Sequence, residues 1–264
     1  MFDSAKYWRL ASNCVAALVL AFLMLPLLTM VPLSFNSASI LSYPLSGLSL
    51  KWYEAFMGDP RWISSILNSL LVAISTVAIA TPLGTLAALG LSLQEFRGKS
   101  FLIAVLLSPM ILPTIIAAVG MYFFFAPLGL ANSLWGLVLA HSALATPFVL
   151  ITVSASLHHL DPSLARAGAS LGASPLMVFW RVTLPIVLPG VVSGGIFAFA
   201  TSFDEVVVAM LLTGPEQRTL PRELLSGTRE NLNPTIMAVA TVLILVSTVL
   251  LFALHLVQQR SNKR

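Results

Sequence analysis

Long runs without charged residues divide the chain. No Asp, Glu, Lys or Arg occurs between Arg9 and Lys51, and none occurs in residues 100–160. A bilayer core about 30 Å thick needs about 20 apolar residues for each helical span. The runs therefore predict an all-α polytopic membrane protein, a single domain over residues 1–264, with six transmembrane helices at 12–33, 63–92, 101–126, 133–157, 184–213 and 235–258.

Two of these runs are too long for one straight helix. The run of residues 100–160 is expected to break at Pro127, Gly129 and Asn132, where turn-forming residues cluster. Residues 184–213 would rise about 45 Å as one helix, and two acids interrupt them, so we expect a broken span or a re-entrant turn. The first run exceeds the apolar core of a signal peptide and is predicted to be retained.

Composition and charge support a membrane protein. Hydrophobic residues make up 58% of the 264 residues and charged residues 9%, whereas soluble domains carry roughly a quarter charged residues. The single cysteine, Cys14, excludes a disulfide framework. Nine of the 14 Lys and Arg residues fall on the side of the six-span arrangement that holds both termini, which predicts cytoplasmic termini. Because the basic residues are scattered among short loops, nucleic-acid binding is not expected.

Residues 161–183 are of mixed polarity and are predicted to form a loop with its own structure. Asp161 precedes Pro162, and Ser174 precedes Pro175, and each pair is typical of an N-cap followed by a first-turn proline. Two short cytoplasmic helices joined near Gly172 are therefore predicted. Residues at helical spacing give the first helix a small, weakly apolar face suited to contact with another protein: Leu164, Ala167, Gly168 and Leu171.

This loop resembles the cytoplasmic signature of binding-protein-dependent ABC importer permeases, which reads EAA, three residues, Gly, nine residues and I-x-L-P. Arg166, Ala167 and Gly168 occupy the EAA positions, with Arg replacing Glu and Gly replacing the second Ala. Gly172 is the motif glycine, and Val182, Leu184 and Pro185 match its end. The resemblance implies that the following residues couple the chain to an ATPase: Arg166, Ala167, Gly168, Leu171, Gly172, Ala173, Ser174, Pro175 and Pro185.

Four further strings extend the resemblance to the second permease subunit of spermidine/putrescine-type importers. They are LKWYEAF at 50–56, EFRGKSF at 95–101, SFDEVVVA at 202–209 and LLTGPEQRTLP at 211–221. The resemblance implies a type I importer fold in a prokaryotic inner membrane and a small cationic solute, with opines or amino-acid derivatives as the alternative. It also implies three partners: a second permease, a cytoplasmic ATPase dimer, and a solute-binding protein received at the loops 34–62 and 214–234.

The chain is expected to be a transport subunit and not an enzyme. It contains no GxxxxGK[ST] loop, so ATP and Mg are expected to bind the partner ATPase and this chain is expected to bind no cofactor. An ion-coupled secondary carrier is one rival, although no internal repeat is evident. An intramembrane enzyme using Asp204, Glu205 and His141 is another, and it would require these side chains to converge.

Asp204 and Glu205 are the main candidates for the solute path or gate, together with Ser202 and Phe203 of the same string. A charge at the centre of a lipid-facing helix costs roughly 2.5–3.5 kcal/mol, so the acids should face protein or a water-filled path. A carboxylate there offers charge-assisted hydrogen bonds to an ammonium group. The alternative is that the acids cap a helix end or pair with an arginine of the external loop. Adjacent helical positions diverge, so one acid is expected to face the path and the other to be satisfied internally.

Several other polar and aromatic groups have more than one interpretation. His141, with Ser142 and Thr146, is expected to make hydrogen bonds between spans, with solute contact as the second interpretation. Tyr122 begins an aromatic cluster that is typical of an interfacial belt but can also stack on a cation. His158, His159 and Asp161 are interpreted as a solvated loop junction and not as a metal site. Gly190 and Gly194 predict close helix packing, with the second permease as the suggested partner.

Overall fold

The computed structural model describes residues 4–93, 95–158, 160–230 and 234–261. Within these ranges the regular structure is helical, apart from one isolated antiparallel bridge between Asn36 and Leu48. The helices are α1 Ser4–Ser34, α2 Lys51–Gly58, α3 Pro60–Leu93, α4 Lys99–Ile111, α5 Thr114–Phe125, α6 Leu134–His158, α7 Pro162–Ser170, α8 Pro175–Val178, α9 Leu184–Asp204, α10 Val207–Leu212, α11 Leu220–Glu230 and α12 Thr235–Ser261. The all-helical class is thus confirmed.

The chain separates into two compact units. Unit 1 consists of Met1–Pro60 and Leu224–Val257, and unit 2 of Arg61–Glu223 and Gln258–Arg264. In unit 1, the Ser34 hydroxyl lies 2.7 Å from the Tyr53 hydroxyl, and Trp52 Nε1 donates to the Asn36 carbonyl over 2.7 Å. The predicted external loop therefore folds against the end of α1 and the start of α2.

Four described helices are long and apolar enough to cross a membrane: Trp8–Ser34, Pro60–Ser92, Leu134–His158 and Pro175–Asp204. The pair Lys99–Ile111 and Thr114–Leu128 would supply a fifth span, but a bend of 105° separates its two helices. The described part of α12 contributes a shorter apolar helix, Thr235–Thr248. The structure supports four or five spans, and the count of six stays a prediction.

The bend between α4 and α5 departs from the single helix expected at 101–126. Leu112 has extended backbone angles, φ −69° and ψ 139°. Pro113 explains this, because a proline ring disfavours the helical conformation in the residue before it and supplies no N–H for the helix ladder. The predicted break after α5 is present as well: a 3₁₀ turn covers Ala126–Leu128, and Gly129 and Asn132 both have positive φ.

Helix α6 is the central helix of unit 2. In its apolar stretch of 18 residues, 67% of the residues are buried, compared with 33% for α3 and 28% for the span ending in α9. Glycines allow both neighbours to approach it. A Cβ added at Gly84 of α3 would lie 2.6 Å from Val149 Cβ, and one added at Gly194 of α9 would lie 2.9 Å from Val149 Cα.

The predicted close packing of Gly190 and Gly194 is therefore present, but its partner is α6 of the same chain. A Cβ at Gly190 would approach the Thr152 carbonyl oxygen to 2.8 Å. Both glycines are buried against α6, which leaves the glycine face no room for a second permease. The suggested seam with another subunit is thus wrong for these two residues.

Candidate functional site

The span that begins at Leu184 is interrupted where its two acids occur. Helix α9 ends at Asp204, Glu205 is extended (φ −72°, ψ 119°), and α10 starts at Val207. The Glu205 carboxylate accepts backbone hydrogen bonds from Val207 (3.1 Å), Val208 (2.7 Å) and Ala209 (3.4 Å). An anionic acceptor at this position satisfies the unpaired N–H groups of α10 and suits the positive end of its dipole.

The two neighbouring acids have different environments. The Glu205 side chain is 9% exposed and is committed to the N-terminus of α10. Asp204 is exposed and has no hydrogen bond or ion pair with any residue that the structure describes. Capping of a helix end, one of the two interpretations left open, therefore applies to Glu205. Asp204 presents a carboxylate with its acceptor positions available.

A buried chain of polar side chains connects this break to two other helices. His141 of α6 is 1% exposed, and its Nδ1 lies 2.9 Å from the Ser202 hydroxyl on α9. Ser202 in turn donates to Thr76 Oγ1 on α3 over 3.3 Å. His141 Nε2 lies 3.9 Å from Glu205 Oε2 and has no hydrogen-bond partner. The predicted hydrogen bond between spans is therefore made by His141.

Phe203 and Tyr122, the remaining residues expected on the solute path, do not join this chain of polar side chains. Phe203 stacks on Phe199 with ring centroids 5.5 Å apart, and Tyr122 packs against the apolar core formed by α5, α6 and α10. The hydroxyls of Ser142 and Thr146 bond carbonyls of their own helix. Thr76 was not anticipated, because one threonine in an apolar span carries no sequence signal until its neighbours are known.

A cavity of about 700 Å³ lies between α3, α4 and α6. Its walls are mostly apolar, and Glu95, Lys99 and His158 contribute its ionisable groups. None of the residues at the α9–α10 break lines it. Among the residues that the structure describes, no group of three or more His, Cys, Asp or Glu side chains is arranged to hold a metal ion, and His159 lies outside those residues.

The segment after α10 is held by side chains that the sequence did not identify. Arg222 Nη1 donates to the carbonyls of Thr213 and Gly214 and to the Thr213 hydroxyl. Arg218 pairs with Glu223 over 3.0 Å. Burial lowers the pKa of Arg222, but a guanidinium remains charged throughout the physiological range. These arginines of the predicted external segment therefore stabilise the segment itself, and their described hydrogen bonds and ion pairs do not involve the acids at the break.

The loop 161–183 contains the two predicted helices. The Asp161 carboxylate accepts from the Ser163 N–H over 2.8 Å, which lowers the pKa of Asp161, and Ser174 caps α8 through the Met177 N–H. Helix α7 ends in a Schellman arrangement, because Ala173 N–H bonds the Gly168 carbonyl and Gly172 has φ +81°. A five-residue π-helical stretch, Phe179–Thr183, then leads into α9.

The expected coupling residues lie mostly on the surface of this loop. Arg166, Ala167, Gly172, Ser174 and Pro175 are exposed, and the Leu171 side chain is 89% exposed. Gly168 is where α7 approaches α8, since a Cβ there would lie 3.1 Å from Val178. Ala173 is half-buried at the turn, and Pro185 is exposed in the first turn of α9.

Long apolar helices define a polytopic membrane protein, and a span interrupted beside two acids is a feature common among transporters. Comparison with known sequences identifies the family. Residues 56–264 match the family described as “Binding-protein-dependent transport system inner membrane component”. The chain belongs to this family and is a permease component of an ABC-type importer.

Two curated relatives cover nearly the whole chain. The spermidine/putrescine transport system permease protein PotC of Escherichia coli (strain K12) is 31% identical over 255 residues, which span 97% of this chain and 96% of that protein. The putrescine transport system permease protein PotI of the same strain is 33% identical over 244 residues, covering 90% and 85%.

Solved structures support the fold. A chain of a bacterial ABC transporter that imports the acidic polysaccharide alginate aligns with a TM-score of 0.76 at 15% identity, covering 98% of this chain and 97% of that one. A chain of the MetNI methionine ABC transporter in an inward-facing conformation aligns with a TM-score of 0.61 at 20% identity, covering 79% and 97%. At these identities the likeness establishes the fold alone.

Proposed function

We propose that this chain is the second permease subunit of an ATP-driven importer for a polyamine of the spermidine/putrescine class. The observation that carries the proposal is the similarity to two polyamine permeases, 31% and 33% identical, along almost the full length of each protein. A multiply charged cation is also compatible with the exposed Asp204 carboxylate at the interrupted span.

In this proposal the chain crosses the inner membrane six times, with both termini and loop 161–183 in the cytoplasm. A second permease completes the solute path, an ATPase dimer binds ATP and Mg, and a periplasmic binding protein delivers solute at loops 34–62 and 214–234. The excess of Lys and Arg on the terminal side supports this orientation. ATP binding and hydrolysis in the partner bias the inward- and outward-facing states.

Loop 161–183 is the proposed contact with the ATPase. The Schellman turn and the two side-chain caps fix α7 and α8, so a force applied to α7 is transmitted without local unfolding. The exposed Leu171 and Leu176 side chains supply apolar surface for a partner. Because the π-helical stretch runs without interruption into α9, movement of this loop also moves the helix that ends at Asp204.

Asp204 is the proposed contact for an ammonium group of the solute. Its carboxylate is exposed, and charge-assisted hydrogen bonds to a carboxylate are roughly twice as strong as neutral ones. Glu205 supports it indirectly, by fixing the start of α10. The Asp204→Asn variant keeps the size of the side chain and removes its charge, so it should raise the KM for a polyamine with little change in complex assembly.

The test uses the complete complex in proteoliposomes, supplied with the binding protein and internal ATP. Labelled spermidine and putrescine should accumulate, while an opine and an amino-acid derivative should not. Glu95, an exposed acid outside both proposed binding-protein loops, provides the control as Glu95→Gln. Accumulation without ATP would favour a secondary carrier. Uptake of the opine alone would indicate that the transported solute is an opine and not a polyamine. Unchanged polyamine KM in Asp204→Asn would remove Asp204 from solute binding.

A further inference from the structure

The hydrogen bonds around His141 determine which ring nitrogen carries its proton. A serine hydroxyl has one hydrogen, and that of Ser202 is donated to Thr76 Oγ1. Ser202 can therefore only accept from the imidazole, so His141 Nδ1 must be the donor across the 2.9 Å contact. In a neutral imidazole one nitrogen donates and the other accepts, which leaves Nε2 as a bare acceptor.

Two acceptors consequently face each other with no donor between them. His141 Nε2 is buried and unpartnered, and the nearest charged atom is Glu205 Oε2 at 3.9 Å. A buried acceptor without a partner is unusual in folded proteins and needs an explanation. A proton on Nε2 would resolve the arrangement, because the imidazolium would then donate toward the carboxylate.

We propose that His141 Nε2 and Glu205 Oε2 form a proton-binding site that links the α9–α10 break to α6. A bound proton converts two opposed acceptors into an ion pair. The cap on α10 is retained, because Glu205 Oε1 accepts from Val207 while Oε2 accepts from Val208 and Ala209. Proton binding therefore changes the charge at the break without requiring α10 to unfold.

Among the described ionisable groups on the helices around His141, Glu205 is the one close enough to pair with a protonated Nε2. Helices α3, α4, α5, α9 and α10 pack around α6, and Asp204 is the other acid at the break. Arg61 on α3 lies about 22 Å before Thr76 along the helix axis, and His158 lies about 25 Å beyond His141. Among the described residues on these helices, the other ionisable groups are Lys99, which pairs with Glu95, and the phenol of Tyr122.

A functional consequence rests on the proposed transport of cations. Without the bound proton, Asp204 and Glu205 give the break two negative charges, and the imidazolium reduces this to one net negative charge. A cationic solute and the proton therefore compete electrostatically for the same region. Acidification should weaken solute binding at Asp204, so the KM for a polyamine should rise as pH falls.

Two variants separate the proton from the structural role of the ring. His141→Asn retains an amide N–H that can donate to Ser202 but has no second ring nitrogen. Glu205→Gln retains a carbonyl oxygen to cap α10 and removes the negative charge that stabilises an imidazolium. Both should assemble, and co-purification with the other subunits checks this before any titration.

The direct experiment is a pH titration of the purified full complex, with the permease labelled with ¹⁵N-histidine, followed by NMR. The chain has four histidines, so the resonance missing from His141→Asn assigns His141. In the wild type its Nε2 signal should titrate, and Glu205→Gln should move the midpoint down by at least one pH unit. An Nε2 that stays neutral over the whole pH range in which the complex remains folded, or a midpoint unaffected by Glu205→Gln, would overturn the proposal.

This measurement does not depend on which solute is transported, so it can fail or succeed separately from the proposed function. The transport consequence is tested by polyamine uptake over the full pH range in which the complex remains folded and active, with the same pH on both sides of the membrane. The KM should rise several-fold on acidification in the wild type and remain nearly flat in His141→Asn. Parallel pH profiles in the two proteins would overturn the link between the proton and solute binding.

Discussion

The contact of Gly194 with α6 gives a quantitative prediction about how α9 is held. A Cβ at this position would lie 2.9 Å from Val149 Cα and 2.6 Å from the Thr152 hydroxyl oxygen. Cβ atoms essentially never come within 3.0 Å of other heavy atoms, and Val149 Cα belongs to the backbone and cannot rotate away. Gly194→Ala must therefore push α9 away from α6.

Overpacking of this kind typically costs about 1–3 kcal/mol. Since 1 kcal/mol shifts the Tm of a protein of 150–250 residues by roughly 2–4 °C, the expected decrease is about 2–12 °C. Thermal unfolding of the detergent-purified complex measures it. Moving α9 should also separate Ser202 from His141, two turns further along, so uptake should fall in Gly194→Ala protein that is still folded.

Gly90→Ala is the matched control. Gly90 lies inside α3, and a Cβ there meets nothing within 4 Å. Alanine is favoured over glycine in a helix interior by roughly 0.5–1 kcal/mol, so this variant should be unchanged or slightly stabilised. If the Gly194→Ala protein is as stable as the Gly90→Ala protein, close packing at Gly194 does not hold α9 against α6.

Three further predictions concern the loops. Arg222→Met should lower stability by roughly 1.5–3 kcal/mol, because the carbonyls of Thr213 and Gly214 lose a charged donor, while the exposed Arg97→Met should not change the Tm. Gly172→Val forces a β-branched residue to φ +81° and should reduce ATP-driven uptake, whereas Ala173→Val, at a position without positive φ, should not. Asp161→Ala removes the cap of α7 and should speed amide exchange of Ser163 at pH 7. The Ser163 N–H lowers the pKa of Asp161 in the wild type. The wild-type cap should therefore persist on acidification until the pH falls through that lowered pKa.

Features that depend on neighbours in the sequence were predictable. Uncharged runs located the long helices, and the Asp-Pro and Ser-Pro pairs located the starts of α7 and α8. The interruption near Asp204 followed from a span too long for the bilayer. In each case the signal is local, since capping, turn formation and hydrophobic length depend on residues within a few positions of one another.

Features that depend on distant residues were not predictable. Thr76, His141 and Ser202 are separated by 61 residues or more, and only the packing of α3, α6 and α9 brings their side chains together. The bend at Pro113 was also missed. Prolines are tolerated inside membrane helices, as Pro147 in α6 shows, so the sequence does not distinguish a proline that breaks a helix from one that does not.

The different environments of Asp204 and Glu205 follow from how the two flanking helices are anchored. Helix α9 is fixed against α6 by its glycine face, and α10 is fixed by Val208, Ala209 and Leu212, which are fully buried. With both helices immobilised, Glu205 turns inward to the N–H groups of α10, and the preceding residue, Asp204, is left outside. A cation approaching Glu205 must compete with three backbone donors, whereas Asp204 meets it with no donor to displace. The fold itself therefore makes Asp204 the acid at which a cation can bind with the smaller loss of existing hydrogen bonds.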